Sequence, residues 1–267
     1  MSFTNPLRAT LASGGVIRGA WIASPSVVTA EAVAAIGYDY VSVDLQHGAV
    51  DYTDAVPMFA AIQGQGSTPM ARMPNNDFAA IGKVLDAGAL GIVVPLVETA
   101  EDAAAAVAAT RYPPHGGRSY GPVRGSVATG SRDPRDLEQV FVAVMVETAL
   151  GLDNVGAIAA TPGLDAIYVG PADLALALGL PPAYERPEPE HAAAIERIRM
   201  ACHQHGIVAG VHCADGAMAG RRLAQGFRMT TVIQDVALVR SAGAAELALA
   251  VPPAAAQAGP STTEGAE

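Results

Sequence analysis

Lysine is almost missing from this chain, because Lys83 is the one lysine among 267 residues. Enzymes that form a Schiff base with a carbonyl substrate need a buried lysine as the nucleophile. Lys83 falls within a predicted helix and is the sole candidate for that role. The composition therefore disfavours a mechanism that passes through a covalent lysine–carbonyl adduct.

Cysteine and basic residues are also scarce. Cys202 and Cys213 are too few for a disulfide framework and fit a reducing compartment. A formal net charge of −10 argues against nucleic acid and anionic membrane surfaces as partners. Because no apolar run reaches transmembrane length and no signal-peptide pattern opens the chain, we expect a cytoplasmic protein.

Small and aliphatic residues are abundant in this chain. Hydrophobic residues make up 51% of the chain and aromatic residues only 5%, so the predicted core consists of Ala, Val, Leu and Ile. Strand-like and helix-like segments alternate along the chain. The predicted strands span residues 18–23, 40–45, 68–73, 91–97, 141–146, 166–169, 207–211 and 229–233. The longer predicted helices span residues 25–36, 77–87, 98–110, 189–205 and 236–250.

Eight strand–helix units of this length predict a TIM (β/α)8 barrel. A doubly wound sheet is the main alternative, but no Gly-x-Gly-x-x-Gly pattern follows an early strand. We expect one barrel domain over residues 1–250 and a flexible tail over residues 251–267. Residues 111–135 are rich in Gly, Pro, Ser and Arg and form a long connection, which is typical of a functional or disordered loop.

Two carboxylates follow buried strands that are neighbours in this barrel. Glu147 ends the run Phe141-Val142-Ala143-Val144-Met145-Val146, and Asp173 follows Ala166-Ile167-Tyr168-Val169. Carboxylates at buried strand ends are costly unless something pairs with them. A hard divalent cation that stays open to substrate would pair with both. The alternative for Asp173 is a helix N-cap, and for Glu147 a solvated strand end.

Other predicted strand ends carry a base and a cation. His47 is a candidate base, because histidine is the side chain best suited to proton transfer near neutrality. Asp44, near in sequence, and Asp86, from another segment, are both candidates to orient it. Arg72 ends an apolar strand, where a guanidinium can grip a carboxylate at two points and stabilise an oxyanion.

Further candidates come from the loops. Arg118 and Arg124 lie in the long loop, where we expect them to bind a second substrate carboxylate or to close over the barrel mouth as a lid. His203, His205, His212, Cys202 and Cys213 resemble a zinc cluster, but their spacing matches no zinc pattern. His212 follows the seventh strand, so we expect it to contact substrate instead.

These strand ends match a known family. The chain resembles the HpcH/HpaI aldolases, metal-dependent class II pyruvate aldolases with a TIM-barrel fold, over about residues 5–250. The resemblance rests on these motifs: Gly19-Ala20-Trp21, Asp44-x-x-His47, Ala71-Arg72-Met73-Pro74, Leu85-Asp86-Ala87-Gly88-Ala89, Val94-Pro95, Arg111-Tyr112-Pro113-Pro114, Val146-Glu147-Thr148 and Gly170-Pro171-Ala172-Asp173-Leu174.

The resemblance implies a role for each matching residue. Glu147 and Asp173 would bind a divalent metal such as Mg²⁺, Mn²⁺ or Co²⁺. Arg72 would contact the enolate oxygen of pyruvate, and His47 would transfer protons through water. The same resemblance implies that Asp86 supports His47, that Trp21 lines the site, and that backbone N–H groups around Ala172 bind the pyruvate carboxylate.

Two departures concern the second substrate. Many relatives carry Glu before the histidine, where this chain has Gln46, and some carry Gln two residues before the metal glutamate, where it has Met145. Both changes leave the implied metal ligands and base in place. They leave the identity of the aldehyde open.

The expected reaction is reversible cleavage of a 4-hydroxy-2-oxo acid to an aldehyde and pyruvate, or a related 2-oxo acid such as hydroxypyruvate. One alternative is a carbon–carbon lyase similar to citrate lyase β or malyl-CoA lyase. Another is a non-catalytic barrel that binds 2-oxo acids. The resemblance further implies a homo-hexamer, a trimer of dimers, in which the C-terminal helix packs on a neighbouring barrel.

Overall fold

The centre of the molecule is a closed barrel of eight parallel strands, in chain order, which confirms the predicted TIM (β/α)8 fold. The computed structural model describes residues 2–250, and the tail predicted over residues 251–267 lies outside the described residues. The strands are β1 Ile17–Ile22, β2 Tyr40–Asp44, β3 Thr68–Arg72, β4 Gly91–Val94, β5 Phe141–Val146, β6 Ala166–Val169, β7 Val208–Val211 and β8 Met229–Gln234.

Helices connect the strands around the outside. They are α1 Pro6–Ala12, α2 Val27–Ala34, α3 Tyr52–Gly64, α4 Phe78–Asp86, α5 Ala100–Ala109, α6 Gly125–Thr129, α7 Pro134–Leu137, α8 Ala149–Asp153, α9 Val155–Ala159, α10 Pro171–Ala177, α11 Pro189–His205, α12 Gly216–Ala224 and α13 Asp235–Leu249. None of the helices in residues 2–250 combines the length and the apolar character that a membrane crossing requires.

The first helix was not predicted, although its signal is present in the sequence. Asn5 caps α1 by accepting a hydrogen bond from the amide of Leu7, and Pro6 occupies the first helical turn. The Asn5 amide group also donates to the carbonyls of Leu90 and Gln139. The helix therefore attaches to the segments that lead into β4 and β5.

The core has two layers of different composition. Val, Ile, Ala and Leu dominate the layer between strands and helices, as predicted. The layer inside the barrel contains larger side chains, among them Trp21, Tyr40, Phe141 and Tyr168. Gly19 makes room for one of them, since a Cβ at that position would overlap the ring of Tyr40. Four of the thirteen aromatic residues thus lie inside the barrel.

Strand register positions the site. Asp44 pairs with Arg72 at the ends of β2 and β3, and Val146 pairs with Val169 at the ends of β5 and β6. Glu147 and Gly170 therefore leave neighbouring strands at the same level. In a parallel barrel all these ends meet at one face, the mouth.

The C-terminal helix α13 stands away from the barrel. Asp235 at its start is buried, whereas the side chains of residues 236–250 are intermediate or exposed. Val239, Leu247 and Leu249 are each at least 70% exposed. A helix with this apolar surface lacks the cover that a barrel normally gives its outer helices.

Candidate active site

A cavity of about 210 Å³ opens at the mouth of the barrel. Residues from several strand ends and from α10 line it together, as expected for an active site on this fold. The lining residues are Trp21, Asp44, His47, Arg72, Met145, Gly170, Pro171, Ala172, Asp173, Tyr184, His212 and Gln234.

Arg72 is held in place by Asp44. The Arg72 Nε atom donates to Asp44 Oδ1 at 2.8 Å, and Nη2 forms a second hydrogen bond and ion pair with Oδ2. Burial of Asp44 opposes its ionisation, but the hydrogen bonds and charge of Arg72 outweigh burial and lower its pKa. The paired strands thus present a fixed guanidinium to the cavity.

Asp44 also shapes the turn that carries His47. Its Oδ1 accepts hydrogen bonds from the backbone amides of Gln46, at 3.0 Å, and His47, at 3.1 Å. The His47 side chain is exposed and lines the cavity. Asp44 therefore orients the backbone of this turn, and its carboxylate is otherwise engaged by Arg72.

Asp86 is absent from the residues that line the cavity, contrary to its expected place beside His47. It ends α4, and its carboxylate binds Arg118 at 2.8 Å. Because α4 runs back from the end of β3 to the start of β4, its last residue reaches the opposite face of the barrel. Within the described chain, Asp86 pairs with an arginine rather than with the candidate base.

The arginines of the long loop lie at that opposite face too, so the expectation of a lid over the mouth is wrong for the described chain. Residues 111–135 connect α5 to β5, and such a connection lies at the amino ends of the strands. Arg118 is only 2% exposed and donates to the Leu137 carbonyl. The Arg124 Nε atom donates to the Ala87 carbonyl.

Glu147 is a buried carboxylate with one free oxygen. It is 3% exposed, and its Oε1 accepts a hydrogen bond from the Leu96 amide at 3.0 Å. Its Oε2 has no hydrogen-bond partner among residues 2–250. Burial, together with the nearby charge of Asp173, raises the pKa of Glu147 to about 7, although the Leu96 amide and Arg72 act in the opposite direction. Such a group calls for a positive partner.

The Leu96 amide reaches Glu147 because β4 ends earlier than predicted. Pro95 follows Val94 and cannot donate to a sheet ladder, so β4 ends there rather than at residue 97. Leu96 then adopts a left-handed conformation with φ of 54°. A non-glycine residue there costs roughly 1–3 kcal/mol, and such strain concentrates at functional sites.

Two carboxylates and an open cavity fit a hard divalent cation. Asp173 is exposed in the first turn of α10 and lines the cavity, while Glu147 lies against the cavity residue Gly170. The described part of the chain contains no cluster of three or more His, Cys, Asp or Glu side chains that would enclose a metal. Mg²⁺ and Mn²⁺ need few protein carboxylates when water and substrate oxygens complete the coordination.

The start of α10 supplies backbone donors. Ala172 lines the cavity and is the second residue of the helix. The N–H groups of a helix's first turn have no partner within the helix, so they are free to bind an anion. This position matches the implied carboxylate site.

His212 and Trp21 form an aromatic wall with a residue that the sequence analysis missed. The His212 ring stacks on Tyr184, with centroids 5.5 Å apart, and meets Trp21 edge-on at 5.1 Å. Burial, and then the charge of Arg72, lower the pKa of His212 to about 4, so its imidazole is neutral. Tyr184 lies among prolines in the connection between α10 and α11, where no periodic pattern signals a site.

The histidines and cysteines that were considered as zinc ligands form no metal-binding cluster in residues 2–250. Cys202 is buried in α11, whereas His203 and His205 are exposed at the end of that helix. Histidines at this end suit the negative pole of the helix dipole.

Comparisons with known proteins identify the family. A sequence profile described as HpcH/HpaI aldolase/citrate lyase matches residues 18–242. A protein named hydroxypyruvate/pyruvate aldolase from Rhizorhabdus wittichii is 36% identical over 239 residues, which covers 89% of this chain and 95% of that protein. A 5-keto-4-deoxy-D-glucarate aldolase from Klebsiella pneumoniae is 36% identical over 249 residues, covering 90% of this chain and 94% of that one.

Solved structures show the same relationship. An HpcH/HpaI aldolase/citrate lyase family protein from Burkholderia cenocepacia superposes with a TM-score of 0.85 at 36% identity, covering 93% of this chain and 100% of that one. An HpcH/HpaI aldolase from Desulfitobacterium hafniense gives a TM-score of 0.83 at 26% identity, covering 94% and 98%. The chain therefore belongs to the HpcH/HpaI aldolase/citrate lyase family and is a carbon–carbon lyase.

Proposed function

We propose that this protein is a divalent-metal-dependent aldolase that reversibly cleaves a 4-hydroxy-2-oxo acid. The products are an aldehyde and pyruvate, or a related 2-oxo acid such as hydroxypyruvate. The unpartnered Oε2 of Glu147, buried beside the cavity, is the observation that carries the proposal. The names of the two relatives at 36% identity support the substrate class.

Glu147 and Asp173 would hold Mg²⁺, Mn²⁺ or Co²⁺. The cation, when bound, supplies Lewis-acid stabilisation of the 2-oxo acid. The amide groups around Ala172 bind the substrate carboxylate. Trp21 lines the cavity, and the guanidinium of Arg72 lies over its ring, 5.3 Å from the centroid. The metal ligands, the amide groups around Ala172, Trp21 and Arg72 thus surround the substrate before any bond breaks.

His47 moves the proton. It accepts the proton of the 4-hydroxyl group through a water molecule, and the C3–C4 bond then breaks to release the aldehyde. The electron pair of that bond passes into the enolate of the 2-oxo acid, whose oxygen Arg72 stabilises by hydrogen bonding. Return of that proton from His47 to C3, through water, completes the 2-oxo acid and restores the base. In the synthetic direction the same groups act in reverse.

The test combines chelation with isotope exchange. We expect EDTA to abolish both aldol cleavage and metal-supported H/D exchange at the pyruvate methyl group, and Mg²⁺, Mn²⁺ or Co²⁺ to restore them. Activity that survives complete chelation would refute the metal-dependent mechanism. Turnover of malyl-CoA without turnover of any free hydroxy-oxo acid would favour the CoA-dependent lyase instead, and binding without exchange would favour a non-catalytic barrel.

The exposed helix α13 supports a homo-oligomer. Its apolar residues Val239, Leu247 and Leu249 are each at least 70% exposed, and a neighbouring subunit would cover them. We propose that α13 packs on a neighbouring barrel in a hexamer built as a trimer of dimers. Sedimentation of the purified protein tests this assembly.

Two free thiols support a reducing compartment. Cys202 and Cys213 are both buried and unbonded to each other, and burial raises the pKa of each thiol to about 12. Structural thiols of this kind are typical of reducing compartments. We propose a cytoplasmic location, which fractionation of the producing cells would test.

A further inference from the structure

The side chains that line the cavity are charged in one part of the barrel and neutral in another. Charged side chains come from β2, β3 and α10, with Glu147 directly after β5. The ends of β7, β8 and β1 contribute His212, Gln234 and Trp21 instead. These three strands are consecutive in the closed barrel, so their side chains form one continuous neutral wall, bordered by Asp173 after β6 and Asp44 at the end of β2.

This division assigns the two substrates to different parts of the cavity. A 2-oxo acid that binds at Arg72, Asp173 and Glu147 occupies the charged side. The aldehyde carbon bonds to C3 of that acid, so the rest of the aldehyde extends toward the neutral wall. The cavity of about 210 Å³ is smaller than the roughly 300–1,000 Å³ of typical ligand pockets, which favours a short aldehyde.

His212 has one nitrogen available to a ligand on this wall. Its Nδ1 lies 3.3 Å from the Tyr168 hydroxyl, which also hydrogen-bonds to Thr231 Oγ1 deeper in the barrel. A neutral imidazole carries one donor and one acceptor, so Nε2 takes whichever role Nδ1 leaves. A hydroxyl group both donates and accepts, and it can therefore pair with Nε2 in either tautomer.

Tyr184 fixes the plane of that imidazole. The two rings are stacked with an interplanar angle of 21°, and the Trp21 ring lies edge-on to the His212 ring at 88°. The neighbouring Glu185 binds Arg221 on α12 at 2.6 Å, which attaches the connection that carries Tyr184 to the barrel. The imidazole therefore has a defined orientation before substrate binds.

We propose that His212, positioned by Tyr184, is the specificity-determining residue that binds a hydroxyl group next to the carbonyl of the aldehyde. The preferred partners are then short, uncharged hydroxyaldehydes. This assignment rests on the proposed aldolase function and adds the substrate class. It treats Tyr184 as a positioning residue that acts through the stacked ring.

The experiment compares two aldehydes of nearly equal size. Glycolaldehyde carries a hydroxyl group where propanal carries a methyl group. With pyruvate as the donor, we expect kcat/KM for glycolaldehyde to exceed that for propanal by at least about 3- to 10-fold, the effect of one neutral hydrogen bond. His212→Phe keeps an aromatic ring against Tyr184 but removes Nε2. We expect this variant to lower the ratio of kcat/KM for glycolaldehyde to kcat/KM for propanal by about the same factor.

The ratio separates recognition from general damage. A variant that merely misfolds or loses metal lowers kcat/KM for both aldehydes by the same factor and leaves the ratio unchanged, which would overturn the proposal. Tyr184→Ala removes the stacking and should reduce the ratio, whereas Tyr184→Phe retains the stacking and should keep it. If Tyr184→Phe lost the preference for glycolaldehyde, the tyrosine hydroxyl rather than His212 would recognise the substrate. That result would also overturn the proposal.

Controls distinguish this proposal from the proposed function. His205→Phe changes an exposed histidine at the end of α11 and should leave both aldehydes and their ratio unchanged. H/D exchange at the pyruvate methyl group of the wild-type protein requires no aldehyde. Exchange without a preference for glycolaldehyde would refute the assignment of His212 alone, while absence of exchange and of turnover would refute the aldolase function itself.

Discussion

Gly170 adjoins Glu147 so closely that a Cβ on residue 170 would overlap the Oε2 atom of that glutamate and come within 2.9 Å of the Met145 Cε atom. The register of β5 and β6 creates this proximity, because Val146 and Val169 are paired directly before the two residues. A side chain at position 170 would have to displace the carboxylate that we assign to the metal. The glycine is therefore part of the site although it has no functional group.

Gly170→Ala should weaken metal binding and lower aldol activity, because the new methyl group displaces Glu147. We expect a loss of at least about tenfold in metal affinity, which corresponds to about 1.4 kcal/mol. Titration calorimetry with Mn²⁺ measures it. Gly156→Ala is the matched control, since a Cβ there meets nothing within 4 Å. Equal affinities in the two variants would contradict the close approach as a determinant of the site.

Glu147→Gln should nearly abolish metal binding while preserving the fold. The amide keeps the shape of the side chain and an oxygen that can accept from the Leu96 amide, but it removes the negative charge. Mn²⁺ electron paramagnetic resonance measures bound metal, and circular dichroism measures the fold. Glu101→Gln, an exposed change in the first turn of α5, should bind metal as the wild type does. Undiminished Mn²⁺ binding by Glu147→Gln would remove this residue from the ligand set.

Asp44→Asn should lower kcat because it weakens the contacts that hold Arg72 in place, and not because it removes a charge that contacts the substrate. The guanidinium loses a charge-assisted pair, and the unpaired buried cation is costly. Loss of one oxyanion donor typically costs roughly 10²–10³ in kcat, and we expect an effect approaching this size. Arg72→Lys should show a similar loss, since an ammonium cannot repeat the two-point contact. Steady-state kinetics check both, and a wild-type kcat in Asp44→Asn would contradict the positioning role.

The neutral His212 should make folding stability depend on pH. Its pKa in the folded protein is about 4, below the ordinary value of 6.5, so the unfolded chain binds this proton more readily. The contribution to stability is therefore complete above about pH 6.5 and is lost as the pH falls toward 4. Relative to His212→Phe, we expect the wild type to lose about 1–2 kcal/mol in free energy of unfolding between pH 7 and pH 4.5. Urea unfolding in a chelating buffer measures this difference, and His205→Gln should titrate as the wild type does.

Charged substitutions on α13 should dissociate the proposed oligomer. Val239→Asp and Leu247→Asp place a carboxylate on the exposed apolar helix, and burying it against a neighbouring subunit would be costly. We expect analytical ultracentrifugation to show a smaller species for the double variant. Glu246→Gln, on the same helix, should sediment like the wild type. An unchanged sedimentation coefficient in the double variant would exclude α13 from the interface.

Much of the barrel was predictable because each strand is short, apolar and bounded by polar residues. The runs that form β5 and β6 were predicted at the bounds that the structure shows, since burial on both faces leaves a continuous apolar signal. The short helices α6, α7, α8 and α9 were missed. They have four or five residues each, too few to display a helical period.

The candidate site was predictable in part for the same reason. Strand ends are visible in sequence, so Trp21, His47, Arg72, Asp173 and His212 could be named in advance, and all of them line the cavity. Asp86, Arg118 and Arg124 do not line the cavity of the described chain, because sequence position does not state which end of a helix or loop faces the mouth. Tyr184 was missed because its connection has no periodic pattern.

The sequence alone determined the alternation of strands and helices, the scarcity of lysine and the acidic residues at strand ends, because these depend on local order and composition. Only the tertiary structure decided that Asp44 pairs with Arg72, that one oxygen of Glu147 is left without a partner, and that Tyr184 stacks on His212. Those relationships join residues distant in the chain. They arise from strand register and barrel closure, which no local pattern encodes.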